Sequence, residues 1–263
     1  MKLLHYNIQD GCAGAPARKE AIGRWLQSQH ADVVTLNELN GWQAGDGLAE
    51  FGRSWGWPHA VIGKVDHSDY PVGILSRRPI DGSQLTGRPF HHALLQASIG
   101  GLQVWVTHLS PMDARQRVVE CRWIADRARA VTGPLILAGD LNTLTPIDAP
   151  MHARLDIQAS LQANTTLKRK FLTPRGAIDY EPMQILLAGG LVDICAPDQP
   201  QASVPTPFNR DAAHAAPMRL DYLLANAALM QAMPRGWVER GEAVRMLSDH
   251  YPVVGQWGPS QAL

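Results

Sequence analysis

The stretch LLQASIGGLQVWVTH, Leu94 to His108, decides the architecture. Two apolar, partly β-branched runs, Leu94 to Ile99 and Leu102 to Thr107, flank Gly100-Gly101, and a Gly-Gly pair between such runs makes a hairpin turn. A hairpin requires antiparallel pairing, which an all-parallel α/β barrel does not contain. Working outward, further strands are read at Leu3 to Ile8, Asp32 to Leu36, Val72 to Leu75, Pro134 to Ala138, Leu220 to Leu224, roughly Trp237 to Val244, and Tyr251 to Trp257. Helical spacing of apolar residues predicts helices over Arg18 to Gln29, Ala114 to Ala130 and Glu181 to Ala188, the last stopped by Gly189-Gly190. Gly41 to His59, rich in Gly and Trp without a clear period, reads as loop. Strands outnumber helices, and the helices fall between strand groups. Two sheets packed face to face with helices outside satisfy that order.

The chain has 263 residues, 45% of them hydrophobic, enough for one large core. Its 19 Pro and 23 Gly are scattered rather than massed in a linker, so residues 1–263 are read as a single domain. Formal net charge is zero and the pI is near 7.2. Proteins that live on a nucleic-acid backbone usually carry a basic excess, so the balance favours a small phosphoester over nucleic acid. Cys12, Cys121 and Cys195 are far apart and odd in number, which fits reduced packing thiols better than a disulfide framework or a zinc site. No apolar run reaches the length of a membrane span or signal core, and the expectation is a cytoplasmic monomer.

The polar residues of interest stand where apolar strands end. Asn7, Glu38 and His108 each follow a strand, Asp140 and Asn142 follow a fourth, and Asp249-His250 precede the last. Asp221 lies inside an apolar strand, between Leu220 and Tyr222. Each has a plainer explanation in isolation. Asn7 can cap the turn at Asp10-Gly11, Glu38 can sit in a surface ion pair, and Gly139 to Asn142 can be an Asx turn. His108 can be a satisfied core histidine. Asp221 resists such a reading, because a buried charge must be paired. Oxygen donors at strand ends can converge on one rigid edge, where a hard cation such as Mg²⁺ is suited to carboxylate and amide oxygens.

The joint pattern resembles the endonuclease/exonuclease/phosphatase superfamily with the DNase I-like fold. The motifs run in chain order: Tyr6-Asn7-Ile8, Leu36-Asn37-Glu38, Gly73-Ile74-Leu75-Ser76, Thr107-His108-Leu109, Gly139-Asp140-Leu141-Asn142, Arg219-Leu220-Asp221-Tyr222, and Ser248-Asp249-His250-Tyr251-Pro252-Val253. The resemblance implies a four-layer sandwich of two mixed, largely antiparallel sheets flanked by helices. It implies divalent-metal hydrolysis of phosphoesters, with Mg²⁺ or alternatively Mn²⁺. Glu38 would be the main metal ligand, helped by Asn7 and Asp249. Asp140 and Asn142 would position or deprotonate the attacking water or bind a second ion. His250, oriented by Asp221, and His108 would stabilise the phosphoryl group. Asn37 replaces the usual Gln before the glutamate, which leaves the ligand itself unchanged.

The family includes nucleases, sphingomyelinases and inositol phosphatases, among others. The histidine in Thr107-His108-Leu109 differs from the pattern of apurinic-site endonucleases, which turns the expectation toward a small or lipid-like phosphodiester. A nuclease of the same fold is the alternative, and a catalytically inactive binding module is the alternative from another class. A mononuclear zinc hydrolase built on His5, His108 and His250 lacks a paired-histidine motif. Among Arg115, Arg117, Arg122, Arg127 and Arg129, taken mainly as a solvated helix face, Arg117 is the one expected substrate contact. Lys168-Arg169-Lys170 reads as a surface charge run. Trp42, Trp55 and Trp57 read as packing for the Gly-rich loop, ahead of stacking on a base or covering an acyl chain. His5 reads as structural.

Overall fold

The computed structural model describes residues 1–195, 201–209, 214 and 216–258. Among them, the first strands in chain order are β1 (Lys2–Asn7), β2 (Val33–Asn37), β3 (His59–Gly63), β4 (Val72–Ser76), β5 (Gly82–Thr86) and β6 (Leu94–Ile99). They are followed by β7 (Leu102–His108), β8 (Leu135–Asp140), β9 (Val192–Asp193), β10 (Asp221–Ala225), β11 (Arg235–Val238) and β12 (Val253–Gln256). The helices are α1 (Pro16–Ser28), α2 (Gly47–Trp55), α3 (Ala114–Ala128), α4 (Ala149–Arg154), α5 (Ile157–Ala163), α6 (Thr165–Phe171), α7 (Glu181–Ala188) and α8 (Ala227–Met230).

The strands build two six-stranded sheets, in the orders β11-β12-β1-β2-β4-β3 and β5-β6-β7-β8-β10-β9. Each sheet is mixed: β1 runs parallel to β2 and β7 parallel to β8, while the other pairs are antiparallel. The hairpin at Gly100-Gly101 joins β6 to β7, with Ile99 opposite Leu102. Strand alternation distributes the side chains between layers. Val104 and Val106 of β7, Ile136 and Ala138 of β8, and Leu223 and Ala225 of β10 enter the core shared with the first sheet. Their neighbours Trp105, Leu135, Leu137, Tyr222 and Leu224 turn outward against Cys121 and Ile124 of α3 and Met183 and Leu186 of α7. On the first sheet, Ile22, Trp25 and Leu26 of α1 and Leu48 and Phe51 of α2 join the main core. The central strands are therefore apolar on both faces because both faces are covered. Full burial of each Leu, Ile or Val contributes about 1.5–3 kcal/mol.

The layered, two-sheet architecture agrees with the sequence reading, but several elements differ from it. Gly41 to His59 is not all loop: it holds α2, whose Leu48, Phe51 and Gly52 face inward. Glycine and tryptophan hide the period there. Trp57 and Trp42 are buried packing residues, their indole N–H groups donating to Ala31 O at 2.9 Å and Gly11 O at 2.7 Å. Edge strand β5 escapes a hydrophobic pattern because four of its five residues are exposed. The short helices α4, α5 and α6 are too brief to show a period. Cys12, Cys121 and Cys195 are buried and unpaired. Among the described residues, no helix is long and apolar enough to cross a membrane.

Candidate active site

The topology brings the strand ends together. β1 and β2 are parallel, so Asn7 and Asn37 are register partners at one edge and Glu38 follows immediately. In the second sheet β7 and β8 are parallel, pairing His108 with Asp140. β10 runs antiparallel to β8, so its first residue, Asp221, also pairs with Asp140. β12 runs antiparallel to β1, which sets Asp249 and His250, just ahead of it, at the same edge.

The side chains converge accordingly. Asn7 Nδ2 donates to Glu38 Oε1 at 3.0 Å and to Asp140 Oδ2 at 3.3 Å, linking the two sheets. Its Oδ1 accepts from the Gln9 backbone N–H at 3.1 Å, which fixes the amide orientation. Asn7, the expected metal ligand, thus stands between two of the carboxylates and donates to both. Glu38 Oε2 accepts from Asp10 N at 2.9 Å, and the glutamate adopts φ of 61°. That left-handed conformation is strained for a glutamate and is held by the surrounding structure. Gly11 is part of that support. Its N–H donates to Glu38 O at 2.6 Å. Its φ is +59°, and a Cβ there would lie 2.0 Å from Asn40 O, so only glycine fits.

Asp140 Oδ2 is the focus of the second sheet's contribution. His108 Nε2 lies 3.4 Å away and His250 Nε2 3.7 Å away. Asp140 Oδ1 accepts from Asn142 N at 2.9 Å, and Asp140 N donates to Asn37 Oδ1 at 2.8 Å. Asn142, at φ 48°, gives Nδ2 to Leu109 O at 3.1 Å, which leaves Oδ1 as its remaining polar atom. Asp249 is tied in through Ser248, whose hydroxyl is 2.8 Å from Asn7 O and 3.2 Å from Asp249 Oδ1.

Asp221 and His250 form a buried pair, with His250 Nδ1 2.7 Å from Asp221 Oδ2. Burial alone would raise the Asp221 pKa, but the charge of His250 and its hydrogen bond, with His5 adding to both, hold it well below the usual carboxylate range. Burial likewise opposes the charge on His250, and Asp221, Asp140 and Asp249 together outweigh it, raising its pKa to about 10. The imidazole is thus a cation over the physiological range. For Asp249, burial is again opposed, by the charge of His250 and by His214, and the net shift is downward.

The structure adds residues that the sequence reading passed over. His5, read as structural, is fully buried between the sheets, with Nε2 3.5 Å from Asp221 Oδ1 and Nδ1 3.0 Å from Thr35 Oγ1. Its parity with Asn7, two residues on along the same strand, is the signal that could have found it. His214 Nδ1 lies 3.3 Å from Asp249 Oδ2, and no periodicity marks the sequence around it. His92 stands beside His108, ring centroids 4.5 Å apart, and burial next to that neighbour lowers its pKa to about 2, so it is neutral. Tyr70 packs edge-on to His108 at 6.4 Å.

Arg117 does not meet its expectation as a substrate contact. It is 1% exposed, and its guanidinium is spent on Ser110 O at 2.9 Å and on Lys170 O. It ties the loop after β7 to α6. Lys170 is also buried, so only Lys168 and Arg169 of that run can be surface charge.

The donor set fits a divalent cation. Glu38, Asp140 and Asp249 supply carboxylate oxygens, and two groups of titratable side chains, His214/Asp249/His250 and Asp140/Asp221/His250, bring ligand atoms within 4.8 Å of one another. Four carboxylates and several imidazoles at one sheet edge, with few competing cations, call for a positive partner.

Acids and histidines at the shared edge of a two-sheet sandwich define a class of hydrolase built to handle phosphoesters. The model of the Endonuclease/Exonuclease/phosphatase family matches residues 4–250, and the chain belongs to that family. Among individual curated proteins none matches the sequence. Solved structures share the fold: an AP endonuclease from Archaeoglobus fulgidus is 17% identical with a TM-score of 0.70, covering 98% of this chain and 99% of that one. The 3′ phosphatase NExo from Neisseria, in a substituted form bound to product DNA hairpin, is 18% identical with a TM-score of 0.68, with the same coverage. The 3′-5′ exonuclease NExo from Neisseria meningitidis is 18% identical with a TM-score of 0.66, again over 98% and 99%.

Proposed function

We propose that this protein is a Mg²⁺-dependent phosphodiesterase acting on a small-molecule or lipid-like phosphoester. The observation that carries the reading is the convergence of Glu38, Asp140 and Asp249 with the Asp221–His250 ion pair. A divalent ion held by Glu38 and Asp249 would neutralise phosphoryl oxygens and lower the pKa of a bound water. The chain's own groups supply the rest. His250, kept protonated and in one orientation by Asp221, donates through Nε2 to a non-bridging oxygen. His108 approaches the same region from the other side of Asp140. Asp140 accepts the proton of the attacking water, and Asn142 helps to orient that water. Asn7 holds Glu38 and Asp140 in register across the two sheets.

Charge supports a small substrate. The formal net charge is zero, so the chain carries no basic excess of the kind a polyanion backbone calls for. A second reading, a nuclease, is favoured by one observation: solved structures with this fold include DNA-processing enzymes, one of them bound to a DNA hairpin.

Turnover in Mg²⁺ or Mn²⁺ of an aryl phosphodiester, a monoester, a phospholipid headgroup series, DNA and RNA separates the readings. Hydrolysis of the small diesters with nucleic acids untouched is expected; cleavage of DNA or RNA alone would replace this proposal by the nuclease. Glu38→Ala and Asp249→Ala are each expected to lose at least about 100-fold in kcat/KM while keeping the native circular dichroism. Full activity in either variant rejects the site.

A further inference from the structure

His214 is not an element of any motif that marks the family in this sequence, yet its ring reaches the metal-type carboxylate. Its Nδ1 is buried and lies 3.3 Å from Asp249 Oδ2, without the geometry of a hydrogen bond. The ring also stands edge-on to His250, centroids 4.8 Å apart at an interplanar angle of 85°. His250 cannot serve every neighbour, because its Nδ1 is committed to Asp221 and only Nε2 is left. His214 therefore offers a nitrogen at the Asp249 end that His250 does not supply.

We propose that His214 is an imidazole ligand of the metal centre, paired with Asp249, and that it biases the centre toward a transition cation such as Mn²⁺, Co²⁺ or Zn²⁺ over Mg²⁺. The proposal rests on the metal-centre reading above and extends it. An all-oxygen set suits hard ions, whereas an imidazole nitrogen adds affinity in the order in which divalent transition metals favour nitrogen. Mg²⁺ would be held through Glu38 and Asp249 with or without the ring, so loss of the ring should affect the two kinds of ion unequally. Asp249 is held on its other oxygen by Ser248, which leaves Oδ2 directed at His214.

Cobalt titration of the metal-free protein tests this through visible absorption, which reports the geometry and ligand field of the bound ion, and through the rise in Tm with Co²⁺ or Mg²⁺. His214→Ala and His214→Gln are expected to weaken Co²⁺ binding by about 10–100-fold and to alter its d–d spectrum, while Mg²⁺ binding changes little. Two variants guard against a packing defect in one, and an unchanged metal-free Tm shows that each is folded. Wild-type Co²⁺ affinity and spectrum in both variants would overturn the role of His214 and leave the Glu38–Asp249 centre standing. Should Asp249→Ala bind Co²⁺ as well as the wild type does, the centre itself fails, and the role of His214 with it.

Discussion

A protonated imidazole buried beside a carboxylate is a costly arrangement that only mutual charge sustains. His250 is surrounded by Asp221, Asp140 and Asp249, and its pKa of about 10 reflects them against the opposing effect of burial. Its contribution to stability is fully present below the ordinary histidine pKa of about 6.5 and is lost as pH rises through about 10. The lowered pKa of Asp221 has the opposite sense: its contribution is present above the ordinary aspartate value and is lost as acid protonates it. In the metal-free protein, the His250 ring resonances are therefore expected to stay at their protonated shift from pH 5 to well above 8. Asp221→Asn should bring the midpoint down toward or below the ordinary value. A wild-type ring that titrates near neutrality would contradict the assignment of His250 as a standing cation. The need for a partner was legible beforehand, because a charge set between Leu220 and Tyr222 must be paired; that the partner is His250 followed only from the family resemblance. Arg117 was not legible. A helix rich in arginine on several faces does not reveal which guanidinium turns inward to cap carbonyls. Nor was His214, whose neighbouring sequence has no period from which to infer a direction.

At the level of elements, the site depends on which strands are parallel. The chemistry sits at the C-terminal ends of β1, β2, β7 and β8 and at the N-terminal starts of β10 and β12, which one edge can gather only with this pairing. The sequence marks the ends of β1, β2, β7 and β8, since each of those apolar runs stops at a polar residue, but the run read over Trp237 to Val244 is a strand only over Arg235–Val238. Nor does the sequence mark strand order, which is fixed by long-range pairing. Gly139 shows how closely β7 and β8 are set. A Cβ at that position would lie 2.1 Å from Thr107 O, one register step from the His108–Asp140 pair. Gly139→Ala must therefore push the strands apart at the residues that carry the chemistry. We expect a stability loss of about 1–3 kcal/mol in urea unfolding. A fall in kcat of up to about 100-fold should accompany it, since displacement by an ångström suffices for that. Unchanged kcat in a destabilised variant would mean that His108 and Asp140 need not be so closely spaced.

Across the whole molecule, the two sheets are joined at the core and again at the site. The first sheet and its loops bring Asn7, Glu38, Asp249 and His250, and the second brings His108, Asp140, Asn142 and Asp221. The sandwich was readable from the hairpin at Gly100-Gly101 and the surplus of strands, whereas the helices α4 to α6 that close one side were too short to read. Because the carboxylates come from both sheets, unfolding disperses them, and an ion that binds the folded state alone stabilises it by mass action. At a hundredfold excess over Kd the gain is about 2.7 kcal/mol. For a chain of this size, with about 2–4 °C per kcal/mol, that is a rise in Tm of about 5–10 °C. Differential scanning calorimetry with Mg²⁺ or Mn²⁺ against chelator should show that rise in the wild type. Neither Glu38→Ala nor Asp249→Ala should show it, and the metal-free Tm of Asp249→Ala should lie below the wild-type value, because the lowered pKa of Asp249 marks a charge that His250 and His214 stabilise in the fold. A metal-dependent rise of equal size in both variants would place the ion elsewhere on the molecule. The edge where the sheets meet would then be held by its hydrogen bonds and by His250 alone.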